Sequence, residues 1–268
     1  MNQAVSGAKR IGFFGWLLAI VLTACAAPST QQPGLLHTES DPTNTDRRSS
    51  VRMELAAGYF ARGQFNIALD EIKQALLLKP ELREAINLRG LVYAAMGESQ
   101  LAQESFKSAL SFYPSNADIL HNYGWMLCQQ QRCPDALAQF DLALAQAKYR
   151  APSRTLLAKS VCQARSGRMG EAELSLAQAF ALDPANPAVA VNLAEGLYRN
   201  NNLERARFYS KRVLAQNEPS NASSLWLALR IDKRLGNNLA VDEYSQLLRR
   251  SHPQSPETQA LKNGQFYE

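Results

Sequence analysis

Histidine is nearly absent from this chain: His37, His121 and His252 are the only three in 268 residues. None stands beside a cysteine or at catalytic spacing from paired carboxylates. A GxSxG elbow, a phosphate-binding glycine loop, an HExxH pair and a GxGxxG turn are missing as well. With no constellation for acyl, phosphoryl or hydride transfer, an enzyme is not expected, and neither is a cofactor. Cys128 and Cys133, with the distant Cys162, lack a fourth metal ligand, so no metal site is expected. Acidic pairs such as Asp70-Glu71 and Asp242-Glu243 fall where a helix faces water. Charge of one sign is also scarce. The formal net charge is +5, and basic residues are interleaved with Glu and Asp, which argues against a nucleic-acid stripe. No apolar run reaches the roughly 20 residues of a membrane-spanning helix.

What is present is a strongly segmented chain. Lys9-Arg10 precede the apolar run Ile11 to Ala24, which ends at Cys25. A basic start, a short apolar stretch and a small-residue end form the pattern of an export signal. From Ala26 to Arg48 the composition turns to Pro, Ser, Thr, Gln, Asp and Asn without apolar periodicity, as in a flexible tether.

From about Ser49 the chain repeats itself. Ala68, Ala102 and Ala136 are 34 residues apart, and so are Ala75, Ala109 and Ala143. Gly63 recurs as Gly97, Gly90 as Gly124, and Pro80 as Pro114. After a two-residue insertion near Tyr149–Pro152 the register resumes with Ala172, Ala206 and Ala240. Six units result: 49–82, 83–116, 117–152, 153–186, 187–220 and 221–254. Each carries two helical apolar patterns; the second stops at Pro80, Pro114 and Pro184 in the first, second and fourth units, whereas the third has Lys148 at that position. Alanine and glycine at fixed positions let two helices cross closely. The segment 255–268 is left as a capping helix or a tail.

These features resemble known families. Leu22-Thr23-Ala24-Cys25 resembles the bacterial lipobox, which implies cleavage of residues 1–24 and lipidation of Cys25. Removal of 1–24 takes Lys9 and Arg10 and no acid, so the charge falls from +5 to +3. Ala26, rather than Asp, implies the periplasmic face of the outer membrane. The repeat resembles the tetratricopeptide repeat, on Ala56, Tyr59, Ala68, Ile72, Ala75 and Pro80 in the first unit and Gly90, Tyr93, Ala102, Phe106, Ala109 and Pro114 in the second. That implies an all-α, right-handed solenoid of six helix pairs.

In such a solenoid the first helices line a groove. Groove positions hold Met53, Phe60, Asn87, Leu91, His121, Asn122 and Trp125, with Cys128 beyond them. Later units place Arg154, Arg165, Glu195, Tyr198, Arg199, Asp232 and Lys233 there, a more charged floor. This suits an amphipathic helix or an extended peptide. In an oxidising compartment the three remaining cysteines suggest one disulfide. Cys162 lies on the stripe that packs against the preceding second helix, and Cys133 begins that helix. The expected pair is therefore Cys133–Cys162 with Cys128 free, and Cys128–Cys133 is the alternative.

A lipobox followed by six such repeats, with VRMELAAGYFARGQFNIALDEIKQAL in the first and LHNYGWMLCQQQRCPDALAQFDLAL in the third, resembles the PilF/PilW family of type IV pilus biogenesis. The resemblance implies a pilotin-like lipoprotein that assists the secretin PilQ, and so twitching motility. The alternative is a scaffold for peptidoglycan hydrolase organisation or outer-membrane protein assembly. In neither case is a nucleic acid or small-molecule substrate expected.

Overall fold

The computed structural model describes residues 43–216 and 221–266. Cys25, the apolar run before it and most of the tether lie outside the described residues. Thirteen α-helices and no strand are found among those described.

Twelve helices form six antiparallel pairs: α1 (Asn44–Ala61) with α2 (Phe65–Leu78), α3 (Arg83–Met96) with α4 (Ser99–Phe112), and α5 (Ala117–Gln129) with α6 (Cys133–Leu144). α7 (Pro152–Arg165) pairs with α8 (Met169–Leu182), α9 (Pro187–Arg199) with α10 (Leu203–Gln216), and α11 (Ala222–Arg234) with α12 (Asn238–Ser251). Each second helix also packs on the next first helix. α13 (Pro256–Asn263) lies on α11 and α12 and covers the end of the array. The 255–268 segment is thus a cap through Asn263.

The first pair begins earlier than expected. α1 starts at Asn44, inside the stretch assigned to the tether, because Thr43 and Asp46 form a reciprocal capping box. Asp46 also contacts Lys79 at the far end of α2. That ammonium and the two Thr43 hydrogen bonds hold the Asp46 carboxyl down at about 2.

The turn inside each pair has one residue in the left-handed region: Gly63, Gly97, Gln131, Gly167, Asn201 and Gly236. Glycine adopts that conformation without a Cβ penalty, which explains four of the six. Gln131 and Asn201 adopt it at φ near +60°.

The recurring small residues mark helix crossings. Ala68, Ala102, Ala136 and Ala206 are fully buried. A Cβ on Gly90 would lie 2.8 Å from the Phe106 ring, and one on Gly124 2.8 Å from that of Phe140. Each glycine thus gives up its side chain to a phenylalanine from the paired helix, and both rings are fully buried.

The disulfide joins Cys128 to Cys162, and Cys133 is the buried free thiol. The expected Cys133–Cys162 pair is therefore corrected. All three sulfur residues share one core cluster, so burial does not select between them. What selects is the contact of successive first helices, which lie side by side and match residues one repeat apart. Cys128 and Cys162, 34 residues apart, meet with Cα atoms separated by 5.6 Å.

Candidate functional site: the face lined by the first helices

Successive first helices touch: α1 with α3, α3 with α5, α5 with α7, and α9 with α11. The backbones of successive second helices stay further apart, and α8 meets α10 through side chains, with Phe180 4.9 Å from Tyr209 and Glu173 paired to Arg205 at 3.1 Å. The layer whose members are drawn together is the shorter, inner one, so the first helices line the concave side.

Polar side chains tie this layer together at one-repeat intervals. Asn122 Nδ2 donates to Asn87 Oδ1 at 3.1 Å, joining α3 to α5. Arg154 reaches Asp118 at 3.0 Å, and His121 Nδ1 meets Thr155 Oγ1 at 2.8 Å, joining α5 to α7. Arg234 donates to the Tyr198 carbonyl at 3.2 Å, joining α9 to α11. The Cys128–Cys162 bond belongs to the same set.

The seven residues assigned to the groove separate into three sets. Asn87, Leu91, Asn122 and Trp125 are half-buried on α3 and α5, so each keeps surface for a partner. The Arg165 guanidinium lies 6.0 Å from the centre of the Trp125 ring. Met53 and Phe60 are half-buried against the first pair's own core, where Phe60 meets Phe65 at 6.0 Å.

His121 is a correction, since it is buried between Thr155 and the Phe140 ring. Tyr198 and Asp232 are corrections too. Arg230 and Arg234 cover the Tyr198 ring at 4.6 and 4.9 Å, while Arg207 and Asn237 each hold Asp232 at 2.9 Å. Of the charged set, Arg154, Arg165 and Arg199 are exposed, and Glu195 and Lys233 are half-buried. Asp232 and Tyr198 sit at positions where side chains reach the neighbouring pair and not the groove.

Burial holds the His121 imidazole down at about 4, with Arg154 adding to the effect. The sign follows from proton uptake. Between the ordinary histidine value of 6.5 and about 4, the unfolded chain binds a proton here that the folded chain refuses. Stability from this position is complete above pH 6.5 and is lost as pH falls to 4, by about 3 kcal/mol in full. Urea titrations across that window should show a shallower pH slope for His121→Gln than for the unaltered chain. Equal slopes would contradict the assignment.

One step of the inner layer is open. α7 and α9 do not pack on each other as the other neighbours do. Between them lies a cleft of about 530 Å³, bounded by Ala164 and Arg165 of α7, Ala172 and Leu176 of α8, and Asn192 and Gly196 of α9. Sequence reasoning missed Asn192 and Gly196. The signal was available: a glycine inside a helix that serves neither a turn nor a close crossing. A Cβ on Gly196 would meet nothing within 4 Å.

With this geometry in view, the tetratricopeptide repeat pattern matches residues 84–116 and 163–229. The type IV pilus assembly protein PilF of Pseudomonas aeruginosa is 28% identical over 247 residues, covering 92% of this chain and 96% of PilF. The crystal structure of PilW, a widely conserved type IV pilus biogenesis factor, superimposes with a TM-score of 0.72 at 34% identity, covering 80% of this chain and 97% of PilW. A solved structure of P. aeruginosa PilF also gives 0.72, at 26% identity, covering 83% of this chain and all of the other. The correspondence spans the whole solenoid and not a single repeat. The chain therefore belongs to the PilF/PilW family of tetratricopeptide-repeat proteins of type IV pilus biogenesis.

Proposed function

We propose that this chain is a lipid-anchored, pilotin-like scaffold that assists assembly of the type IV pilus secretin PilQ at the outer membrane. The observation that carries the reading is end-to-end similarity to PilF, 92% of one chain against 96% of the other. A shared single repeat would support only a shared module. In this reading the inner face does the recognising. Amide side chains at Asn87 and Asn122 offer hydrogen bonds to a peptide, and Leu91 and Trp125 offer apolar area. No bond is made or broken by the repeats. Affinity comes from burial and hydrogen bonding, and membrane address comes from acyl chains on Cys25. Each buried CH₂ of such a chain contributes about 0.8 kcal/mol, so several chains anchor firmly.

Cys25→Ala separates the two tasks. The variant should fold with unchanged helicity, leave the outer-membrane fraction, and fail to support SDS-resistant secretin multimers. Fractionation and immunoblotting read both effects. Unchanged membrane fractionation would overturn lipidation, and normal secretin multimers in a deletion strain would overturn the pilus role.

A further inference from the structure

The open α7–α9 step is flanked by helices of opposite formal charge. α7 carries Arg154, Lys159 and Arg165 with no acidic residue. Behind it, α6 and α8 carry Asp135, Asp141, Glu171 and Glu173 with no basic residue. Most of these charges are already matched: Arg154 with Asp118, Lys159 with Asp141, Asp135 with Arg132 and Glu171 with Arg168. Arg165 is what remains to draw negative charge to the inner side.

The cleft's own carboxylates do not cancel this. Glu195 is held by Arg199 at 2.9 Å and by Arg230 at 3.6 Å. Glu173 is held by Arg205 and by Asn200, both at 3.1 Å. Arg165, exposed at the rim, pairs with no carboxylate among the described residues, and only the Trp125 ring lies under it. Below the rim the floor is apolar, with Ala172 and Leu176 buried and Gly196 offering empty space in place of a side chain.

We infer that the α7–α9 cleft is a socket for an apolar side chain of an acidic, extended partner segment, whose carboxylates face Arg165. The inference rests on the inner face being the docking surface and specifies what docks there. A carboxylate beside Arg165 gains a charge-assisted pairing on a ring already in place. A leucine-sized side chain fills space that would otherwise hold water.

Three fluorescein-labelled dodecapeptides, titrated against the full mature chain in detergent, test this by anisotropy. One is rich in Asp and Glu around a central leucine pair. The second replaces those leucines with serine, and the third replaces each acid with lysine. The first should bind at least tenfold more tightly than either other, and more weakly as salt rises. Gly196→Leu fills the cleft from within and should reduce that affinity at least tenfold with an unchanged or higher melting temperature, since a helix-interior glycine is being replaced. Arg165→Glu, a surface change that leaves the core intact, should have a similar effect. Equal binding of all three peptides, or full affinity in both variants, would overturn the inference. So would a Gly196-dependent preference for anionic vesicles over the acidic peptide.

Secretin copurification, run in parallel, distinguishes the two levels. Recovery with the unaltered chain and loss with Gly196→Leu supports both. Recovery with both chains overturns the socket and leaves the proposed function standing. Recovery with neither, while the peptide still binds, overturns the proposed function and leaves the socket standing.

Discussion

Phe140→Ala should destabilise the chain by about 4 kcal/mol, the largest effect of any single truncation here. The ring is fully buried in the central cluster, where it fills the space above Gly124 and lies 5.9 Å from the His121 ring. No side chain at Gly124 can relax into the void, because position 124 has none. Leu142→Ala, two residues on but half exposed, should cost under about 0.5 kcal/mol. The loss has a shape as well as a size. In a solenoid each pair is supported only by its neighbours, so weakening α5 and α6 uncouples what lies on either side. The described residues contain two tryptophans, Trp125 in α5 and Trp226 in α11. Urea unfolding of single-tryptophan variants should show Trp125 reporting an earlier transition than Trp226 in Phe140→Ala, and coincident transitions in the parent. Coincidence in both would mean that the six pairs unfold as one unit.

Removing the Cys128–Cys162 bond should cost about 3–4 kcal/mol, because the bond closes a loop of 34 residues in the unfolded chain. Cys128→Ala and Cys162→Ala should be destabilised alike, and a reductant should bring the parent to nearly the same stability. Cys133→Ala, which leaves the bond intact, should lose only about 1 kcal/mol or less, for its buried sulfur. Because the three residues share a cluster, Cys128→Ala should be studied together with Cys133→Ala to exclude a substitute bond. Peptide mapping of the oxidised chain should find 128 linked to 162. A link between 133 and 162 would contradict the structure and restore the pairing expected from sequence.

The contrast between these two residues shows what was legible in advance. Phe140 is readable because its partner glycine recurs: Gly90 with Phe106 and Gly124 with Phe140 occupy one position in successive units. Ala68, Ala102, Ala136, Ala172 and Ala206 likewise mark crossings, and all are buried. A repeated small residue is a direct record of close helix approach. The cysteine pairing is a different problem. Position within a unit states which helix face a residue occupies, but not whether that face meets the preceding second helix or the neighbouring first helix. Cys133 and Cys128 both satisfied the pattern, and only the lateral match of α5 to α7 separates them.

The same limit explains His121, Tyr198 and Asp232. Their positions point to the inner layer, yet His121 and Tyr198 end in the seam between adjacent first helices, held by Thr155 and by Arg230 and Arg234, and Asp232 turns to Arg207 on the preceding second helix. Leu91 and Trp125 lie beside such a seam, and Asn87 and Asn122, which join across it, keep part of their surface. The start of α1 was also written in the sequence, as Thr43 followed three residues later by Asp46, but it was hidden in a stretch already polar. The cleft beside Gly196 was only half legible: the helix-interior glycine stands in the sequence, but one that makes room for something outside the chain looks like one that makes room for nothing.

Placing a photo-crosslinking amino acid at single positions in the living envelope tests the central claim most directly. The claim is that the inner, first-helix face receives the secretin. Probes at Leu91 and Trp125 should yield a crosslinked product with the secretin, and probes at Leu174 and Phe208, exposed on second helices, should not. Crosslinks to the secretin from Leu174 and Phe208, with none from Leu91 and Trp125, would contradict it.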